Sequence, residues 1–356
     1  MDFGVCVLPK PDRCAEEARM AEASGFSHVW IADTQLMAGE VFVCLALIAA
    51  ATSKVKLGTG VAIAGTRIAP VTACALGSLN QIAPGRVVFG IGTGNSARRA
   101  MGMPPYGLRD LREHVRVVRG LLSGGQVEYR EGEQTRLIRF FHQDLNFVNT
   151  RASIPIYVAA NAPKAMDLAG EIGDGFITSR TNTVAGWNEA WSRVSHSAQG
   201  HGKDPARLYT MLLTTACLMH SGETLESPRV KSAAGPWAAV ALHSLYETAK
   251  STAAAPPPIR PLFERYKAYL DDRAVRHDDY YLELHDGHGL YVRSEEERFI
   301  TPELIAHTTM TSTPEVLLER LRALSAAGVK QVAFIPTPGA YADFVREFSE
   351  RIIARF

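Results

Sequence analysis

The sequence lacks the features of membrane and secreted proteins. No apolar run reaches the ~18 residues that a membrane span needs. The N-terminus leads directly into an apolar segment, without the charged region of a secretion signal. Its five cysteines are an odd number, and no two have the Cys-x-x-Cys spacing of redox or zinc motifs. We therefore expect a soluble, cytoplasmic protein whose cysteines are reduced and mostly buried.

Neither sign of charge is in excess. The chain has 38 basic and 37 acidic residues, a net charge of +1, and no long basic run, so no nucleic-acid partner is expected. The Gly-x-Ser-x-Gly of serine hydrolases is missing. A first βα turn reading Gly-x-Gly-x-x-Gly, typical of dinucleotide-binding sheets, is missing too. His285, Asp286 and His288 suggest a metal, but no further ligand follows at a recognisable spacing, so we predict no metal site.

Short apolar runs alternate with longer amphipathic ones along the chain. The runs are nearly continuous in apolar residues, which is typical of parallel strands covered on both faces. The eight predicted strands are 3–9, 28–33, 55–63, 87–94, 154–160, 175–179, 208–219 and 330–336. The main predicted helices are 12–25 (with Asp12 as N-cap), 40–52, 70–83, 108–122, 163–173, 187–197 and 340–356.

Eight such units in 356 residues predict a closed (β/α)8 barrel rather than a doubly wound open sheet. We expect one domain, 1–356, with insertions at 123–153 and at 220–311. The second is the largest, lies between the seventh and eighth strands, and is expected to cover the active site.

Active sites of such barrels lie at the carboxyl ends of the strands. Two of these ends read Gly-Thr-Gly, at 58–60 and at 92–94. Glycine there lets a flat ligand approach the backbone closely. The alternative is that glycine only relieves crowding inside the barrel.

Four segments resemble the bacterial luciferase-like family of flavin-dependent oxidoreductases: GFSHVWIADTQ, VKLGTGVAIAGTRIAPVTACALGSLNQIAPGRVVFGIGTGNS, IPIYVAANAPKAMDLAGEIGDGFITS and LHDGHGLYV. The family includes two-component flavin monooxygenases and deazaflavin-dependent reductases, on a modified (β/α)8 barrel. The resemblance implies that reduced flavin lies across the strand ends. The residues matched to that cofactor are Asp33, Thr59, Gly60, Gly92, Thr93, Gly94, Asn95, Ala159, Ala160, Asn161, Thr178, Ser179 and Arg180. The last three match the region that takes the phosphate, for which an arginine beside hydroxyls is suited.

Two positions depart from the family's sugar-phosphate dehydrogenases. Thr34 replaces a histidine and Asn95 replaces a glutamate, so alcohol oxidation is not expected. The candidates for catalysis are Asn95, at that position, and His285 and His288, which the resemblance places near the barrel mouth. A structural turn is the alternative for both histidines.

Three arginines, Arg67, Arg98 and Arg99, are candidates for an anionic substrate or cofactor tail, or else form salt bridges at the barrel rim. The leading functional hypothesis is an FMNH₂- and O₂-using monooxygenase that acts on a small organic substrate and is fed by a separate NAD(P)H-dependent flavin reductase. The alternative is a deazaflavin-dependent reductase that transfers hydride without O₂, and a third is a non-catalytic flavin-binding barrel. The resemblance also implies a homodimer, for which the second and third helices have suitable apolar residues.

Overall fold

Eight parallel strands close into a barrel. The structure is a computed structural model that describes residues 1–249, 251–274 and 279–356. Its strands are β1 (Asp2–Val7), β2 (His28–Ile31), β3 (Lys56–Thr59), β4 (Ala62–Ile63), β5 (Val87–Gly92), β6 (Val127–Glu131), β7 (Gln134–Ile138), β8 (Ile156–Ala159), β9 (Gly175–Thr178), β10 (Tyr209–Thr214) and β11 (Gln331–Phe334). The barrel order is β3-β2-β1-β11-β10-β9-β8-β5, and β3 pairs with β5 to close the ring. This confirms the predicted barrel.

Helices surround this barrel. They are α1 (Cys14–Ala23), α2 (Val41–Ala51), α3 (Ala69–Ile82), α4 (Asn95–Arg99), α5 (Leu108–Leu122), α6 (Pro163–Ile172), α7 (Val184–Gly200), α8 (Pro228–Thr248), α9 (Arg260–Ala274), α10 (Tyr280–Leu284), α11 (Pro302–Thr308), α12 (Pro314–Ala326) and α13 (Tyr341–Arg351). Among the described helices, none combines the length and apolarity needed to cross a membrane.

Several predicted boundaries need correction. Asp12 is not an N-cap: Arg13 occupies that position and makes no side-chain capping bond. The seventh barrel strand ends at Thr214 rather than at Met219, because the chain there turns into the insertion. The polar segment 123–153 contains an antiparallel hairpin of β6 and β7, whose strands are mostly exposed and therefore have no apolar signal.

Arg86, in the Pro-Gly-Arg of the family-like segment, has a structural role. Its Nη2 donates to the carbonyl of Ala49 at 2.9 Å, and its Nη1 donates to Thr52 Oγ1 and to the carbonyl of Val55, each at 3.1 Å. These acceptors lie at the end of α2 and just before β3, where helix carbonyls lack partners within the helix. The guanidinium therefore joins the second helix to the third barrel strand.

Trp30, on β2, packs inside the barrel in a cluster that includes Tyr157 and Met211. Its ring is fully buried, and its Nε1 donates to Gln331 Oε1 at 3.1 Å. A Cβ atom added at Gly4 would lie 2.8 Å from the indole Nε1, one at Gly58 2.7 Å from Cζ3, and one at Gly60 2.9 Å from Trp30 Cβ. The two strands beside β2 therefore carry glycine to accommodate the indole. Crowding accounts for Gly58 and Gly60 without any ligand.

The segment between β10 and β11, which contains α8 to α11, has a hydrophobic core of its own. Val230, Leu242, Phe263, Tyr266 and Leu304 are among its buried members. This confirms that the largest insertion lies between the seventh and eighth barrel strands.

Replacing Gly58 with alanine tests the packing around Trp30. The new Cβ would also lie 2.8 Å from the carbonyl oxygen of Val88, which the sheet holds in place. We expect Gly58→Ala to lower the free energy of unfolding by about 1–3 kcal/mol in urea denaturation. Gly339→Ala is the control, because nothing lies within 4 Å of its added Cβ and stability should change by less than about 1 kcal/mol. Equal effects of the two substitutions would contradict this account.

Candidate active site

The third barrel strand bends at its carboxyl end. The peptide bond between Gly60 and Val61 is cis. Buried Thr59 donates its hydroxyl to the carbonyl of Gly90 at 2.6 Å, and the Gly60 N–H donates to the carbonyl of Ile31 at 2.7 Å. Bonds to both neighbouring strands therefore hold the bend, and Val61 lies half-buried at the mouth of the barrel.

Asp33, which follows β2, anchors the chain beyond this bend. Its side chain is 3% exposed, and its Oδ2 accepts from Arg67 Nη1 at 2.7 Å and from the backbone N–H of Ile63 at 3.2 Å. Arg67 Nη2 donates to Asp33 Oδ1 at 3.2 Å and to Glu40 Oε1 at 2.5 Å. Burial lowers the pKa of Arg67, but the bonds and charges of Asp33 and Glu40 outweigh it and raise that pKa overall. Arg67 thus has two internal partners, and its substrate role stays a prediction.

The end of β5 forms a second wall of the mouth. Gly92 is buried and Thr93 is half-buried. Gly94 has a φ of 73° and starts α4, and a Cβ there would lie 2.5 Å from Ile63 Cγ2. Both the backbone conformation and the contact therefore require glycine at position 94.

The two arginines of α4, Arg98 and Arg99, differ in their partners. Arg99 Nε donates to Asn95 Oδ1 at 2.9 Å and lies 3.7 Å from Glu247 Oε2 of α8. Arg98 Nε donates only to the carbonyl of Pro104, at 3.1 Å. Within the described ranges, no carboxylate pairs with Arg98. The sequence prediction treated the two arginines alike, whereas the structure leaves one of them with an uncompensated charge.

Residues at the ends of β8 and β9 form what we call the β8–β9 corner: Asn161, Thr178, Ser179 and Arg180. Asn161 Oδ1 accepts from Thr178 Oγ1 at 2.9 Å and from the Ser179 N–H at 3.0 Å. Asn161 Nδ2 donates to Ser179 Oγ at 2.9 Å, and Arg180 Nη1 donates to the Asn161 carbonyl at 3.0 Å. The same amide therefore orders both strand ends.

The β8–β9 corner fits a phosphate. Ser179 and Arg180 are exposed, and no carboxylate in the described part of the chain pairs with Arg180. An uncompensated guanidinium beside hydroxyls is a suitable anion site. Ala159 and Ala160 precede the corner. Ala159 is half-buried and its small side chain leaves the mouth open. The Ala160 N–H donates to the Ile177 carbonyl at 2.9 Å.

The two candidate histidines lie in the insertion, in contact with each other. His285 Nε2 lies 2.9 Å from Glu247 Oε1, and His285 Nδ1 lies 3.5 Å from His288 Nδ1. Burial, together with the neighbouring imidazoles of His243 and His285, lowers the pKa of His288 to about 3. Because Glu247 also approaches Arg99, the structure connects both histidines to the wall after β5.

Sequence analysis missed three buried members of this group: His243, Glu247 and Glu296. His243 Nε2 lies 3.2 Å from Glu296 Oε2. The other carboxylate oxygen of Glu296, Oε1, accepts from the Tyr266 hydroxyl at 2.8 Å. Burial raises the pKa of Glu296, but the bond and charge of His243 outweigh it and lower that pKa overall. Two of these residues could have been found in the sequence from the spacing of His243 and Glu247, which puts both on one face of a helix. Over the described residues, no three His, Cys, Asp or Glu side chains are placed to hold a metal ion.

Removing the charge of Asp33 tests its role as an anchor. Asp33→Asn removes the buried one of the two carboxylates that compensate the charge of Arg67. We therefore expect a loss of about 3–5 kcal/mol in the free energy of unfolding. Glu40→Gln removes the other partner, which is 43% exposed, and should cost at most about 1 kcal/mol. Urea denaturation of both variants measures the difference. Similar losses would show that Asp33 does not hold this loop.

The chain matches known proteins over most of its length. The model of the family described as luciferase-like monooxygenase matches residues 1–331. The 5,10-methylenetetrahydromethanopterin reductase of Archaeoglobus fulgidus is 29% identical over 352 residues, 93% of this chain and 92% of that protein. The reductase of the same name from Methanolobus tindarius is 34% identical over 209 residues, which are 58% of this chain and 62% of that protein, less than two thirds of its length.

A solved structure shares the fold. The coenzyme F420 dependent tetrahydromethanopterin reductase of Methanopyrus kandleri superposes with a TM-score of 0.71 and 21% identity, covering 100% of this chain and 99% of that one. With the family model matched over 331 of its 356 residues, the chain belongs to the luciferase-like monooxygenase family, whose members are flavin- or F420-dependent oxidoreductases.

Proposed function

We propose that this protein is a deazaflavin-dependent reductase that transfers hydride to an unsaturated or iminium carbon of a small organic substrate, without O₂. The observation that carries this proposal is the similarity to the Archaeoglobus fulgidus reductase, which extends over nearly the full length of both chains. The solved reductase with the same fold is named as dependent on coenzyme F420. We therefore prefer the deazaflavin-dependent reductase, which was the alternative hypothesis from the sequence, to the monooxygenase. A reductase of this kind needs no separate flavin reductase in the proposal.

The polar groups of the barrel mouth suit a cofactor with a phosphate. When bound, a deazaflavin supplies a ring carbon that carries hydride. We assign its phosphate to Ser179 and Arg180, because they are exposed and within the described chain Arg180 has no acidic partner. The bend at Gly60 and Val61, the β5 wall and Ala159 are assigned to the ring.

Arg98 is assigned to a second anionic group. Its guanidinium is half-buried after β5, bonded to one carbonyl. A charge held there without a partner favours a carboxylate or phosphate of the cofactor tail or the substrate. The insertion 220–311 is assigned the role of a cover that excludes water from the mouth, and His288 that of the group that exchanges a proton with the substrate.

Binding measured under anaerobic conditions tests the cofactor. The purified protein is titrated with reduced coenzyme F420 and with reduced FMN, and air is then admitted. We expect at least tenfold tighter binding of the deazaflavin, which is about 1.4 kcal/mol, and a complex that does not consume O₂. Tighter binding of FMN with O₂ consumption would instead support the monooxygenase. Binding of neither would overturn the cofactor assignment.

Substituting Arg180 separates the phosphate site from the ring site within the same titration. Arg180→Ala should weaken F420 binding at least tenfold and leave its phosphate-free chromophore unaffected. Arg193→Ala is the matched control, because Arg193 lies on the neighbouring α7 and pairs at the surface with Asp167. Equal losses for both ligands would remove the phosphate role from Arg180.

We also propose a homodimer through α2 and α3. Val43 and Leu47 of α2 are 52% and 40% exposed, and Val71 and Ile82 of α3 are 51% and 48% exposed. Grouped exposed apolar side chains are a feature of protein interfaces, and this face supports the expectation from the family.

Light scattering coupled to gel filtration tests this interface. We expect a dimer for the native chain and a monomer for the double variant Val43→Lys and Leu47→Lys, because two charges would be buried without partners. Val316→Lys, at an exposed valine of α12, should leave the dimer intact. A native chain that is monomeric, or a double variant that stays dimeric, would contradict the proposal.

A further inference from the structure

The insertion contains a group of buried ionisable side chains. The side chains of Glu247, His285, His243 and Glu296 are each between 3% and 6% exposed. Most of the surrounding core is apolar. Burying carboxylates and imidazoles is costly unless each finds a partner, and apolar residues generally stabilise such a core at least as well. A group of this kind is therefore a candidate for a functional role.

The bonds within the group form two separate arms. In the first, Glu247 contacts His285 and His285 contacts His288, at 2.9 and 3.5 Å. In the second, Glu296 holds His243 and Tyr266, with Arg293 Nε at 3.8 Å. Among the described residues, the arms approach each other at the rings of His243 and His288, whose centroids are 6.1 Å apart.

The first arm, which we call the histidine relay (His288, His285 and Glu247), has a defined direction. A carboxylate oxygen only accepts, so His285 Nε2 carries a proton toward Glu247. The proton between the two Nδ1 atoms can then belong to either ring. Their distance is at the long end for a hydrogen bond, as is common for catalytic contacts without substrate. In the described residues His288 Nε2 has no hydrogen-bond partner, and His288 is only partly covered.

The relay adjoins the active-site wall. Glu247 Oε2 lies 3.7 Å from Arg99 Nε, and the same Nε donates to Asn95, the first residue of α4. Tyr281, at the start of the same turn as His285, packs against Gly102, where an added Cβ would lie 3.0 Å from Tyr281 Cζ. These contacts hold the Glu247 end of the relay against the wall after β5.

We propose that His288 exchanges a proton with the substrate at Nε2, and that His285 and Glu247 are positioning residues that store this proton. When the relay is charged, His285 carries protons on both nitrogens and His288 carries one on Nε2. Transfer of the Nε2 proton to the substrate is matched by passage of the His285 Nδ1 proton to His288 Nδ1. One proton leaves, His285 becomes neutral, and no electrons move.

This inference rests on the proposed function and narrows its substrate class. A reductase with a proton store beside the hydride site suits a substrate that gains hydride and a proton together. A polarised carbon–carbon double bond or a neutral imine does so, whereas an iminium cation needs hydride alone. The charged and titratable groups that face the relay are His243 from α8 and Arg99 from α4. Glu296, with Tyr266 and Arg293, lies behind His243.

Nuclear magnetic resonance of the protein labelled with ¹⁵N in its imidazole rings tests the relay without any cofactor. We expect His288 to carry its proton on Nδ1 when the pair is neutral. On acidification it should switch to the Nε2 tautomer while staying neutral. A His288 that keeps one tautomer throughout, or that becomes the imidazolium itself, would overturn the proposal from the native chain alone.

Two isosteric variants identify the role of Glu247. Glu247→Gln removes the charge that stabilises the imidazolium, so the tautomer switch of His288 should disappear or move at least one pH unit lower, a tenfold change in proton affinity. Glu296→Gln, the control in the second arm, should leave the switch within a few tenths of a pH unit even if it destabilises the insertion. Equal shifts in the two variants would make Glu247 merely structural.

The outcome is independent of the cofactor titration. A tautomer switch in a protein that does not bind deazaflavin would retain the relay and refute the proposed function. Deazaflavin binding without the switch would retain the function and remove the proton store.

Discussion

The packing of Trp30 inside a closed ring of parallel strands is the constraint on which the rest of this structure depends. Eight strands leave an interior that side chains must fill, and here the indole packs there with Tyr157, Met211 and smaller side chains. The neighbouring strands accommodate the ring with Gly4, Gly58 and Gly60. Beyond Gly60 the chain bends and continues as β4, alongside β5. The shape of the barrel mouth therefore follows from how the strands accommodate a fully buried side chain.

The arginines around the mouth differ in whether a carboxylate compensates their charge. Arg67 is bound between Asp33 and Glu40 and holds the chain beyond the bend. Arg99 is shared between Asn95 and Glu247. In the described structure, Arg98 and Arg180 have only carbonyl partners. Charges without partners at a concave site favour anions, so these two positions carry the proposed contacts to the cofactor or substrate.

The insertion adds what the barrel mouth lacks. After β2 and β5, the second and fourth barrel strands, the chain has Thr34 and Asn95 where the family's sugar-phosphate dehydrogenases have acid–base groups. Histidines and carboxylates are instead grouped on α8 and in the segment that packs against it. The ion pair of Arg99 and Glu247 joins this group to the wall after β5. Proton transfer and hydride transfer would then depend on different parts of the chain, which only the folded insertion brings together.

The sequence by itself determined the barrel, the strand ends that form its mouth and the helix Leu108–Leu122. Apolar periodicity reports local burial, and the carboxyl ends of parallel strands must share one face. The sequence pattern could not decide whether Gly58 admits a ligand or relieves crowding, because the atoms that crowd it belong to other strands. Only the tertiary structure decided which arginines are neutralised, and that Glu247 meets His285, 38 residues away. Such pairings depend on distances between elements, and a linear pattern carries no information about them.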